Sequence, residues 1–118
     1  MNIETSIGTD ISSELLANYF KTLVNQVFKI LPMRELSQDS LPKYIWRLEA
    51  ELIGCRDLLP CIKEDSYFAS LLNILSYLSE HAQACGVAEV RQLVFEAIGI
   101  CGKLRMRYVE DEHTIGGH

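Results

Sequence analysis

Positive charge is scarce in this sequence: eleven lysines and arginines stand against sixteen aspartates and glutamates, for a net charge of −5. Phosphate backbones and anionic lipids are held by clustered Lys and Arg, so this balance argues against a nucleic-acid partner. Long apolar runs are missing as well. No stretch approaches the ~20 residues needed to cross a bilayer, and "MNIETSIGTD" has neither the positive start nor the apolar centre of a signal peptide. A cytoplasmic protein with no membrane partner is expected. Cysteine occurs four times, as Cys55, Cys61, Cys85 and Cys101, without any Cys-x-x-Cys pair. In a reducing compartment these read as free thiols, most of them small core residues. Period-two alternation is absent over any useful length, so strands are not expected.

What is there is one apolar period, repeated four times. "SSELLANYFKTLVNQVFKIL" carries Leu16, Phe20, Leu23, Val27 and Ile30 at alternating spacings of four and three, and Leu15, Tyr19, Val24, Phe28 and Leu31 widen the stripe. An N-cap at Asp10, Ser12 or Ser13 would begin this helix, and Pro32 would end it at residue 31. The second ladder is Leu41, Ile45, Leu48, Leu52, Cys55 and Leu59, with Ser40 as cap, Pro42 in the first turn and Pro60 as the stop. The third is Phe68, Leu71, Leu75, Leu78 and Ala82, capped by Asp65 or Ser66, in a helix over 66–84 that stops at Gly86. The fourth runs over 87–108 through Val90, Val94, Ala97, Cys101, Leu104 and Tyr108.

With 48% apolar and 23% charged residues the chain is an ordinary globular one, large enough for a core of its own. The connections "PMRELSQDS", "PCIKED" and "QACG" are short, which makes successive helices antiparallel neighbours. The expected fold is all-α: an antiparallel up-down-up-down four-helix bundle over residues 10–108, with flexible tails at 1–9 and 109–118.

Candidate chemistry is thin. "GICGKL" resembles a phosphate loop only in its Gly-Lys pair. Ala97 stands where the motif needs its first glycine, Leu104 where it needs Ser or Thr, and the run lies inside a helix. His81 and Cys85 are one helical turn apart and could offer two metal ligands, but a structural zinc site needs two more. His113 and His118 lie in the C-terminal tail. Carboxylate pairs such as Glu49/Glu51 and Glu110/Glu112 are spaced by two and do not share a helix face, and the di-metal bundle signature, Glu-x-x-His on inward faces, is absent. Lys103 and Arg107 share a helix face with Glu89 and Glu96, which gives a mixed, solvated face. No catalytic residue, cofactor or metal is therefore expected.

The last helix nevertheless has a second ladder: Phe95, Gly99, Gly102 and Met106, at spacings of four, three and four, on the side away from the first. Glycine inside a helix costs roughly 1 kcal/mol against alanine, so a packing reason is expected for two of them. Bare backbone admits a second helix closely, and Phe95 and Met106 supply apolar contact at either end. That second helix belongs either to the wide stripe of the first helix in the same chain or to a second chain.

The runs "KTLVNQVFKILPMRE", "LEAELIGCRDLLP" and "EVRQLVFEAIGICGKL" resemble small uncharacterised all-helical proteins of gut Firmicutes and their phages or mobile elements, over residues 20–108. The resemblance implies a helical fold in a bacterial or phage cytoplasm and carries no site residues. The expected function is a non-enzymatic protein-protein interaction module that forms a homodimer through Phe95, Gly99, Gly102 and Met106 and meets a further, unidentified protein partner. The alternative is a phage or mobile-element accessory protein that acts on nucleic-acid machinery or inhibits a host defence complex.

Overall fold

The computed structural model describes the backbone of residues 2–116 and the side chains of residues 2–109. It is mostly helical. Two short strands, β1 (Asn2–Glu4) and β2 (Asp10–Ser12), precede α1 (Ser13–Phe28), α2 (Ile30–Glu35), α3 (Leu41–Leu58), α4 (Pro60–Lys63), α5 (Ser66–His81) and α6 (Val87–Gly116).

The hairpin departs from the sequence reading, which puts a tail at 1–9 and no strands anywhere. β1 pairs antiparallel with β2, Ile3 opposite Ile11, and Ile3 is buried. Between the strands Thr5 is buried with its Oγ1 donating to the Thr9 carbonyl at 2.9 Å, and Gly8 takes the positive φ (86°) of the turn. The Ser6 amide donates to the Leu58 carbonyl at 2.7 Å, tying the hairpin to the end of α3. Three-residue strands are too short to show a period, so one apolar contact and one Thr-Thr clasp settle their conformation.

Ser12 caps α1 by accepting from the Leu15 amide at 3.0 Å. Pro32 does not end the first helical segment but lies within α2. Its ring leaves no room for the carbonyl four residues back, at Phe28, and the helix breaks there instead. Pro60 opens α4, inside the stretch expected as loop, because a proline fits a first helical turn. Asp65 caps α5, accepting from the Tyr67 and Phe68 amides at 2.8 and 3.3 Å. α5 stops at His81 rather than 84. Just beyond it, Arg34 donates through Nε to the Ala82 carbonyl at 2.9 Å and through Nη2 to the Cys85 carbonyl at 2.7 Å, partners that helical bonding no longer supplies. α6 continues past 108 to Gly116, into the stretch read as a tail from 109 onward; the side chains of 110–116 and residues 117–118 lie outside the described residues.

The four ladders meet in one core. All their members named above are buried except Cys55, which is partly so. α6 is the central helix, packing on α1 and α5, while α3 packs on α5. The ring pairs Phe20–Tyr108 and Phe28–Phe95 show that α1 and α6 run antiparallel. Successive long helices of an up-down bundle should all be neighbours, yet α1 and α3 barely meet.

Candidate functional site

α6 has two faces because its sequence has two ladders. Val90, Val94, Ala97, Cys101, Leu104 and Tyr108 turn inward and are buried. On the opposite side Phe95 and Met106 stay 51% and 48% exposed, with Gly99 and Gly102 between them. A Cβ at either glycine would meet no atom within 4 Å. The chain's own first helix therefore does not cover this stripe. α1 reaches only one end of it, where Phe28 sets its ring edge-to-face against Phe95 at 6.2 Å and itself stays 47% exposed. The four residues singled out by spacing thus form one open apolar strip, and Phe28, read in the sequence only as part of a wide core stripe, extends it.

α5 borders the other flank. The Tyr67 ring lies under two cations, with Lys103 Nζ 5.1 Å and the Arg107 guanidinium 5.3 Å from its centroid. Arg107 also pairs with the Asp65 carboxylate, whose side chain is almost completely buried. Tyr67, Gly99, Gly102, Lys103, Arg105 and Met106 surround a shallow depression of about 580 Å³. Farther along α6, Arg91 pairs with Glu35 at 3.5 Å. Two of the four basic side chains of this helix are thus already engaged by carboxylates.

Both members of the His81/Cys85 pair lie against Tyr77. The His81 ring is tilted against the Tyr77 ring at 4.6 Å and faces Glu80 at 3.7 Å, while Cys85 is buried with its Sγ 3.8 Å from the Tyr77 hydroxyl. Among the described residues no three His, Cys, Asp or Glu side chains gather as metal ligands. His113 and His118 lie outside the described side chains. Burial pushes the Cys101 thiol up to about 12, and burial with the nearby Cys61 pushes Cys55 up to about 11. Nucleophilic cysteines need the opposite shift.

A second concavity has no counterpart in the sequence reading. Where α1 and α3 fail to close, a cleft of about 750 Å³ opens between Ile11, Leu15 and Tyr19 on one side and Gly54, Cys55 and Leu58 on the other. The Tyr19 hydroxyl is enclosed beside it with no hydrogen-bond partner among the described residues, and burial raises its pKa above the usual tyrosine range. Leu15, 57% exposed, and Leu58 were the available signals: each sits one position off a seam.

Compared with known proteins, the chain matches no family model, no curated protein and no solved structure.

Proposed function

We propose that this chain is a non-enzymatic helical interaction module that self-associates through the outer face of α6. In this reading the long helices make an up-down-up-down bundle opened along its α1–α3 side. The observation that carries the proposal is the pair of glycines left bare in the monomer between half-exposed Phe95 and Met106. Two interior glycines lower helix stability by about 2 kcal/mol against alanine, and nothing inside the monomer uses the space they leave. A second helix backbone would.

Gly102→Leu tests this. A Cβ at this position meets nothing within 4 Å beyond α6's own backbone, so the variant is expected to fold with an unchanged far-UV circular dichroism spectrum and, through better helix propensity, an equal or higher melting temperature. Light scattering is expected to show association of the parent chain at tens of micromolar and a monomeric variant. An equally associated variant, or a parent chain that stays monomeric, would refute the proposal.

A further inference from the structure

We propose that the cleft between α1 and α3 is a binding site for a small amphipathic amine, its apolar body against Leu15 and Leu58 and its ammonium at Glu51. The two helices are tied at either end and left apart between. At one end the Tyr44 hydroxyl donates to the Gln26 carbonyl at 2.6 Å; at the other the Ser6 amide donates to the Leu58 carbonyl at 2.7 Å. These fixed points bound the gap, and its volume of about 750 Å³ lies in the range of small-molecule sites. Gly54 keeps it wide. A Cβ there would meet nothing within 4 Å beyond α3's own backbone, and a larger side chain would fill part of the space.

The lining sorts by polarity along the cleft. Ile11, Leu15, Leu58 and Leu59 gather at the hairpin end, where Leu15 and Leu58 remain exposed. Thr22, Gln26 and Glu51 lie toward the Tyr44 end. Leu58 and Glu51 are seven residues apart on α3, about 10 Å along its axis, and that distance sets the length of the apolar body. Glu51 is the only charged side chain in the lining, is exposed, and has no ion-pair partner among the described residues. Arg47, one turn earlier on α3, lies outside the lining and forms no ion pair with it. The lone carboxylate selects a cation over an anion of equal length. Between the two ends stands Tyr19, whose enclosed hydroxyl lacks a hydrogen-bond partner among the described residues. An ammonium N–H supplies a donor to that oxygen that the fold does not.

The test uses three probes of one chain length, octylamine, octanol and octanoate, titrated into the full chain below their aggregation concentrations and followed by two-dimensional NMR. Octylamine is expected to shift the amides of α1 and α3 around Tyr19 and Gly54 and to bind about fivefold more tightly than octanoate, with octanol between. Glu51→Gln should weaken octylamine by about fivefold and leave octanol within about twofold. Gly54→Leu should abolish binding of all three while keeping the spectrum of a folded chain. Gly102→Leu should leave octylamine binding unchanged, which separates this site from the α6 face. Equal affinity for the three probes, or an octylamine preference that survives Glu51→Gln, overturns the ligand class. Shifts confined to other surfaces, or no saturation at millimolar octylamine, overturn the site. Loss of self-association in Gly54→Leu would show that a second copy fills the cleft, and would overturn the proposal as well.

Discussion

Tyr19 and Tyr44 are the same side chain in opposite circumstances, and together they calibrate what a polar atom contributes here. The Tyr44 hydroxyl donates to the Gln26 carbonyl at 2.6 Å, joining α3 to α1 where the two helices otherwise stand apart. The Tyr19 hydroxyl is enclosed without a partner among the described residues. Tyr44→Phe is expected to lower unfolding free energy by about 0.5–1.5 kcal/mol, whereas Tyr19→Phe should leave it unchanged or raise it by up to ~1 kcal/mol. Urea melts of the two variants check this contrast. Neither environment was legible in the sequence, since both tyrosines sit beside a seam and only the gap between α1 and α3 separates their fates. Phe95, Gly99, Gly102 and Met106 were legible for the opposite reason: their spacing alone puts them on the side of α6 away from its core ladder, and no further contact has to be known.

Each long helix depends on devices of different visibility. The seams could be read because a period of 3.6 admits only one buried face, and Leu75 or Leu48 is buried whichever helix it meets. Which helices adjoin could not be read, because the four ladders are chemically alike. Asp65 shows how a visible cap can hold a hidden contact. Its residue type before "SYFASLL" announces the start of α5, but the same carboxylate also takes Arg107 from α6, forty-two residues away. Asp65→Asn is expected to keep the amide acceptor and lose the charge pairing, and Asp65→Ala to lose both. The order of stability should be parent, Asn, Ala, with Asp65→Ala down by about 1–3 kcal/mol, measured as a fall in melting temperature. Equal losses for the two variants would show that the cap matters little and the ion pair carries the effect.

For the whole molecule, the buried thiols set an alkaline limit. Cys55 and Cys101 keep their protons in the folded chain up to about 11 and about 12, whereas the unfolded chain releases them near the ordinary 9.0. Above that value the unfolded state binds fewer protons than the folded one, so stability falls as pH rises; below it, the contribution is fully present. Urea midpoints are expected to drop between pH 8 and pH 10, and Cys101→Ala should flatten that drop while lowering the midpoint at pH 8 through lost packing. The arrangement of helices also has a consequence in time. α1 takes its principal contacts from α6, with all of α2 to α5 between them in the chain. At ribosomal speeds of 5–20 residues per second, α1 waits on the order of several seconds for the surface that buries Phe20, Leu23 and Val27. Over that interval the apolar face of α1 lacks the helix that covers it in the folded chain, and the delay is set by synthesis of α6 rather than by its docking.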